Sequence, residues 1–198
     1  MVKYTRKVGG NMTIMEAIKK GMIELKNADI ETPKLKARLL MQFTLNKPRQ
    51  YIIVNDLNKL TAKEENQYFS AIKKMRQGVP LEHITHQREF MKLNFFVNEN
   101  VLIPRQDTEI LVEEVINIAK KTNAKTILDL CTGSGAIAVS LAKYLPNTEI
   151  TAVDISQEAL KVAKKNAISN EVENQITFIS SDLFTNLENQ KFDIIVSN

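Results

Sequence analysis

The 198 residues are 43% hydrophobic and 25% charged, which is enough apolar material for one large core or two smaller ones. No run of about 18 apolar residues occurs, which argues against a membrane-spanning helix. The only cysteine, Cys131, excludes an internal disulfide and a cysteine-based metal site, so a reducing cytoplasm is expected and no metal. Residues 1–90 carry 17 Lys and Arg against 9 Asp and Glu, whereas residues 91–198 carry 10 against 14. The basic half suits an acidic partner, RNA or merely solvated helix faces.

The N-terminal part has the start signals of a helical bundle. Two capping-box pairs and one pair of an N-cap residue with a first-turn proline stand before apolar stripes. These pairs are Thr13 with Glu16, Thr61 with Glu64, and Thr32 with Pro33. The expected buried stripes are Ile14, Ala17, Ile18 and Leu25, then Leu35, Leu39, Leu40 and Phe43, then Phe69, Ile72 and Met75. With Gly78 as a stop signal, we expect a helical domain over residues 12–85.

A β-hairpin linker is expected over residues 86–106. Residues 89–91 and 95–97 read as two short strands around a turn at 92–94. Asp107 can cap a helix that reaches about residue 121. The expected buried side of that helix holds Ile110, Leu111, Val115 and Ile118.

Residues 107–198 alternate between strand and helix patterns. The strands are expected over 126–130, 149–153, 175–180 and 192–197, and the helices between them over 135–143 and 156–169. Strands that alternate with helices pair in parallel through crossovers. The pattern therefore predicts an α/β domain with a doubly wound sheet.

The loop after the first of these strands is the candidate binding site. Its residues are Asp129, Leu130, Cys131, Thr132, Gly133, Ser134 and Gly135. In an open parallel sheet the ligand lies beyond the carboxyl ends of the strands, where glycines let the backbone approach it. Asp154 ends the second strand, in a position to accept hydrogen bonds from ribose hydroxyls.

Two nucleotides compete for this loop, because Gly133, Gly135 and Ala138 also satisfy a relaxed dinucleotide fingerprint. Asp129 favours S-adenosylmethionine (SAM), which has a sulfonium and an ammonium group, over a pyrophosphate that a carboxylate would repel. Asp182 follows the third strand, where it can contact adenine. Each carboxylate could instead only cap a turn or a helix.

Six stretches of the sequence resemble the bacterial and organellar release-factor glutamine methyltransferases. They are residues 80–84 (Pro-Leu-Glu-His-Ile), 88–90 (Arg-Glu-Phe), 102–109 (Leu-Ile-Pro-Arg-Gln-Asp-Thr-Glu), 127–138, 152–156 (Ala-Val-Asp-Ile-Ser) and 192–198 (Phe-Asp-Ile-Ile-Val-Ser-Asn). The resemblance implies a helical substrate-recognition domain and a Rossmann-like, class I SAM-dependent catalytic domain. The implied reaction is methylation of the glutamine amide in the Gly-Gly-Gln motif of class I peptide chain release factors. A monomer without direct nucleic-acid binding is expected.

The resemblance also assigns roles by position. Cys131, Thr132, Gly133, Ser134 and Gly135 would hold the methionine part of SAM beside Asp129, while Asp154 would hold the ribose. The adenine would lie against Asp182 and Leu183, and Leu102 would line the pocket. Asn198 matches the asparagine of an Asn-Pro-Pro-Tyr motif that binds the substrate glutamine next to SAM.

Three departures from the family pattern bear on these roles. Cys131 stands where glycine is frequent, and Leu183 stands where some members have an aromatic ring. The sequence stops at Asn198, before the rest of the motif, so the expectation is a truncated fragment with an incomplete sheet and no activity. The alternatives are an amino-group methyltransferase for nucleic acids, a non-catalytic binding module and an NAD-linked oxidoreductase.

Overall fold

The computed structural model describes residues 9–198, and the chain divides into two compact units between Thr85 and His86. The first unit contains helices α1 (Ile14–Lys26), α2 (Pro33–Leu45), α3 (Arg49–Val54), α4 (Ala62–Arg76) and α5 (Leu81–Thr85), with strands β1 (Gly9–Thr13) and β2 (Lys59–Thr61). The two strands pair antiparallel. Among residues 9–198, no helix has the length and apolar character that crossing a membrane requires.

Both predicted capping boxes are present in the first unit. The Thr13 hydroxyl accepts from the Glu16 N–H and the Glu16 carboxylate accepts from the Thr13 N–H, and Thr61 pairs with Glu64 in the same way. Thr32 does occupy the N-cap position of α2, but its φ of 50° is left-handed and its side chain makes no cap hydrogen bond. The proline at the first position fixes the start of α2 instead.

The predicted buried face of α2 is wrong in part. Leu35 is 55% exposed and Phe43 is 43% exposed, whereas Ala37, Leu40 and Met41 are fully buried. The small Ala37 side chain allows close packing here, and the buried Tyr68 hydroxyl of α4 donates to the Ala37 carbonyl oxygen at 3.2 Å. The face of α2 that packs against neighbouring helices is therefore not its most hydrophobic face.

The second unit begins with a β-hairpin of strands β3 (Arg88–Phe90) and β4 (Leu93–Phe95). The predicted turn at residues 92–94 is wrong, because Met91 and Lys92 form it with φ angles of 50° and 59°. Two residues with positive φ match the right-handed twist of the strands they join. Phe90 and Phe95 are both buried and pack edge to face.

Helix α6 (Asp107–Thr122) also buries a face that differs from the predicted one. Its buried residues are Thr108, Val112, Val115, Ile116 and Ala119. Of the four predicted, Val115 is buried, but Ile110 is 69% exposed and Ile118 is 40% exposed. Asp107 is the first helical residue, and no side-chain cap hydrogen bond precedes it at Gln106.

A parallel sheet follows, with strands β5 (Thr126–Leu130), β6 (Glu149–Asp154), β7 (Ile176–Ser180) and β8 (Ile194–Ser197) in the order β7-β6-β5-β8. Helices α7 (Ala136–Tyr144) and α8 (Gln157–Ser169) connect the first three strands, and a short 3₁₀ helix (Glu173–Gln175) precedes β7. Leu130 pairs with Val153 on one side and with Ser197 on the other. The predicted α/β class is confirmed, and the carboxyl ends of all four parallel strands lie at one edge of the sheet.

The two faces of this sheet are covered differently. Ile127, Ile150 and Val196 pack against residues of α6, α7 and α8 in one continuous core. Leu128, Leu130 and Val153 face the other way and pack against Leu187 and, partly buried, Phe192. In the described residues the second face is thus covered by the segment between β7 and β8, where a doubly wound sheet would carry helices.

Gly133 and Gly135 differ in what a side chain would meet, although both have positive φ, 55° and 77°. A Cβ on Gly135 would lie 2.9 Å from Cβ of Ala163 in α8, whereas one on Gly133 would meet nothing within 4 Å. Left-handed φ alone costs a residue with a side chain about 1–2 kcal/mol. Overpacking against a helix adds about 1–3 kcal/mol.

We therefore expect Gly133→Ala to lower the free energy of unfolding of the second unit by about 1–2 kcal/mol, and Gly135→Ala by about 2–5 kcal/mol. Urea unfolding followed by circular dichroism measures both, with Gly133→Ala as the matched control for backbone strain. Equal losses in the two variants would contradict the close packing of Gly135 on α8.

Candidate functional site

The loop after β5 is held by groups that lie outside it. The Thr132 N–H donates to the Val153 carbonyl at 2.8 Å, and the Gly133 N–H donates to Oδ2 of Asp154 at 2.8 Å. Cys131, like the two glycines, has positive φ, at 64°, and its side chain is exposed. The loop therefore projects from the sheet edge, with its backbone tied to the neighbouring strand β6.

Asp129 lies beneath this loop and is completely buried. Its Oδ2 accepts from the Thr132 hydroxyl at 2.6 Å and from the Ala138 N–H, in the first turn of α7, at 3.1 Å. Its Oδ1 has no hydrogen-bond partner. Burial raises the pKa of Asp129 to about 7, against the lowering effect of the Thr132 and Ala138 hydrogen bonds.

An unpaired carboxylate oxygen in a buried position is costly, because it loses its hydration without compensation. A cationic donor such as an ammonium group would supply the missing hydrogen bond, whereas a phosphate would add repulsion. The open space beside Gly133 gives a ligand room to approach the backbone. The chemistry of Asp129 and this loop thus fits the amino-acid end of SAM.

Asp154 links the loop to the start of α8. Its Oδ2 accepts from the Gly133 N–H and its Oδ1 accepts from the Ser156 N–H at 2.9 Å. Each carboxylate oxygen has a second lone pair, so the half-buried side chain can still accept bonds from a ligand. The Asp154 carboxylate and the loop are consequently fixed relative to each other.

Asp182 and Leu183 follow the third strand end. The Ser181 N–H donates to the Asp154 carbonyl at 3.1 Å, which sets this segment beside the end of β6. The Asp182 side chain is exposed, and its carbonyl accepts from the Thr185 N–H and hydroxyl. Leu183 has a φ of 48° and is 51% exposed. Both side chains are therefore accessible to a ligand.

Asn198 lies beside the loop on the opposite side from Asp154. Ser197 pairs with Leu130 in the parallel ladder, and its hydroxyl donates to the Leu130 carbonyl at 2.8 Å. Asn198 and Cys131 are the next residues on these neighbouring strands, which lie about 4.8 Å apart. Asn198 Nδ2 donates to Oγ1 of Thr108 at 2.6 Å. Leu102 is 68% exposed, and its place in a pocket stays a prediction.

Asn166 of α8 belongs to the same site, although it is not among the residues predicted from the sequence. It is fully buried; its Oδ1 accepts from the Phe96 N–H, while its Nδ2 donates to the carbonyls of Phe96 and Ser134. One side chain thus joins the binding loop to the segment after the hairpin. The signal in the sequence was a polar residue within the apolar stripe of α8, next to Ala163 and Ala167.

Thr108 was missed as well, since it was read only as part of a matching stretch. It lies in the first turn of α6 and is 8% exposed. A threonine at the end of a buried stripe that otherwise holds Val112, Val115, Ile116 and Ala119 was the available signal.

Comparison with known proteins identifies the family. The Methyltransferase small domain model matches residues 105–198, and the PrmC N-terminal domain model matches residues 16–85. The release factor glutamine methyltransferase of Koribacter versatilis is 42% identical over 188 residues, which cover 94% of this chain and 66% of that protein. A ribosomal protein L11 methylase structure from Lactobacillus delbrueckii subsp. bulgaricus aligns with a TM-score of 0.43 at 27% identity, covering 51% of this chain and 50% of that one.

The release factor glutamine methyltransferase of Clostridium botulinum is 36% identical over 189 residues, covering 94% of this chain and 67% of that protein. The chain thus spans about two thirds of the length of these curated relatives. On its match to these curated relatives and to the two family models, the chain belongs to the release-factor glutamine methyltransferase family.

Proposed function

We propose that the protein containing this chain methylates the side-chain amide nitrogen of glutamine in the Gly-Gly-Gln motif of class I peptide chain release factors. When bound, SAM would supply an electrophilic methyl group: the glutamine nitrogen would gain the methyl and lose one proton to solvent, and the sulfonium would leave as a neutral thioether. The observation that carries the proposal is the position of Asn198 next to the loop at residues 131–135, in a chain that is 42% identical to a release factor glutamine methyltransferase. The side-chain amide of Asn198, whose oxygen can accept a hydrogen bond, is thereby adjacent to the candidate cofactor site.

Asn198 addresses the weakness of an amide as a nucleophile. The lone pair of an amide nitrogen is delocalised into its carbonyl, so the nitrogen reacts poorly. A side-chain oxygen that accepts an N–H bond from this amide orients the nitrogen and raises its electron density. Asn198 supplies such an oxygen without needing a metal or a covalent intermediate.

The cofactor would be held by residues from three strand ends. Asp129 offers its unpaired Oδ1 to the ammonium group, and the loop from Cys131 through Thr132, Gly133 and Ser134 to Gly135 holds the methionine part. Asp154 accepts from the ribose hydroxyls. Asp182 and Leu183 contact adenine, and Leu102 closes the pocket.

The regions of the chain have separate tasks in this proposal. Residues 12–85 recognise the release factor, residues 86–106 form the linker, and residues 107–198 bind SAM. The excess of basic residues in the first 90 positions suits an acidic protein surface. We place the enzyme in the cytoplasm, acting as a monomer without direct binding to nucleic acid.

The proposal predicts methylation of a release factor by a full-length version of the protein. After incubation with SAM, mass spectrometry should find the Gly-Gly-Gln peptide heavier by one methylene, and a release factor with that glutamine changed to asparagine should stay unmodified. Asn198→Ala should lower kcat by about 10²–10³-fold. If the enzyme binds SAM but the mass of the Gly-Gly-Gln peptide does not change, the proposed substrate is refuted. Methylation of RNA instead of the peptide would support the nucleic-acid alternative.

Asp154 should be needed for SAM affinity in a way that is separable from folding. Asp154→Ala is expected to raise the Kd for SAM by about 10–100-fold, because the ribose and the Gly133 N–H both lose an acceptor. Asp193→Ala is the matched control, since Asp193 also accepts two backbone N–H bonds, from Lys125 and Thr126, but at the opposite end of β5. Calorimetry should show near-normal SAM affinity in the control, and an equal loss in both variants would count against a ribose role.

Asp129 should make SAM affinity depend on pH. Burial raises the pKa of this carboxyl to about 7, so below that pH the ammonium group of SAM must displace a proton to gain the carboxylate. The Kd should therefore fall as pH rises, by up to about tenfold per unit below pH 7, and level off above it. Asp129→Asn should bind more weakly with a flat profile over the same range. A wild-type profile that is already flat would exclude this pairing.

A further inference from the structure

The hydrogen bond between Asn198 and Thr108 joins two parts of the chain that lie 90 positions apart. Nδ2 of Asn198 donates to Oγ1 of Thr108 at 2.6 Å. Thr108 is 8% exposed, so water competes little for its hydroxyl. Among the described residues, the structure shows no other hydrogen bond to the side-chain polar atoms of Asn198 or Thr108.

The direction of this hydrogen bond decides which end of the asparagine amide remains available. An asparagine side chain is planar, with a donor on one branch and an acceptor on the other. A rotation of the amide would exchange the two and present a donor where a substrate N–H needs an acceptor. Because Thr108 accepts from Nδ2, the oxygen Oδ1 is the atom left for a ligand.

Both partners stand on well-anchored segments. Thr108 is in the first turn of α6, where the neighbouring Glu109 carboxylate accepts from the Met91 N–H at 2.7 Å. Asn198 follows Ser197, whose hydroxyl is bonded to the Leu130 carbonyl. Helix α6 is thereby connected to the end of β8, beside the binding loop.

We propose that Thr108 is a positioning residue for methyl transfer: its hydroxyl holds Nδ2 of Asn198 so that Oδ1 faces the substrate amide. This inference rests on the proposed function, because it assigns Asn198 the role of acceptor. In this role Thr108 acts through Asn198 and not by direct contact with the substrate or the cofactor. Its contribution is to hold the Asn198 amide in the arrangement that the structure shows, with Nδ2 bonded to Thr108 and Oδ1 left for a ligand.

Kinetics on a full-length version of the protein test this role. Thr108→Val keeps the shape of the side chain and loses the hydroxyl; kcat should fall by about 10–100-fold while the Kd for SAM stays unchanged. Thr108→Ser restores the hydroxyl and should restore most of kcat. Thr122→Val is the matched control, because Thr122 is an exposed threonine in the last turn of the same helix. In an Asn198→Ala background, Thr108→Val should cause little further loss.

An unchanged kcat in Thr108→Val would overturn the proposal, as would an equal loss in Thr108→Ser. Nuclear magnetic resonance provides a test that needs neither activity nor a folded variant. One of the two Nδ2 protons of Asn198 in the wild type should exchange with solvent more slowly than those of the exposed Asn147. Exchange of both protons at the Asn147 rate would also overturn the proposal. If the wild type methylates no glutamine although this proton is protected, the proposed function fails and the positioning contact stands.

Discussion

The candidate site depends on the two hydrogen bonds that the carboxylate of Asp154 accepts from backbone N–H groups. It accepts from Gly133 in the binding loop and from Ser156 at the start of α8. The loop itself contains one internal backbone hydrogen bond among those that the structure describes, from Gly135 N–H to the Thr132 carbonyl. Its shape is therefore imposed from outside, by Asp154, Val153 and Asn166. A loop held in this way can present its backbone to a ligand with little loss of conformational entropy on binding.

Asp129 has the opposite effect from Asp154, since it makes the protein without ligand less stable. A carboxyl group with no exposure and one unpaired oxygen lowers the free energy of unfolding whenever it is ionised. A bound cation would remove that penalty. The free energy recovered in this way would contribute to the affinity for the ligand. The hydroxyl of Thr132 and the N–H of Ala138 limit the penalty to one oxygen and keep the carboxylate in place.

The sequence predicted those features of the fold that are determined locally. Capping boxes at Thr13 and Thr61 need only a residue three positions away, and the strands of the sheet are short apolar runs between turn residues. The predictions of which faces of α2 and α6 are buried were partly wrong, because burial depends on which neighbours pack there and not on hydrophobicity alone. Ile110 is more hydrophobic than Thr108, yet Ile110 is exposed and Thr108 is buried.

The same distinction separates the site residues that sequence reasoning found from those that it missed. The loop and the carboxylates at the strand ends could be identified, because parallel strands bring their carboxyl ends to one edge whatever the intervening helices contain. Asn166 reaches Phe96 across 70 positions and Thr108 reaches Asn198 across 90. No periodicity encodes such pairs. Both are polar side chains within apolar stripes, where an unpaired polar group would be costly. The sequence can thus show that a partner is needed, and only the fold identifies that partner.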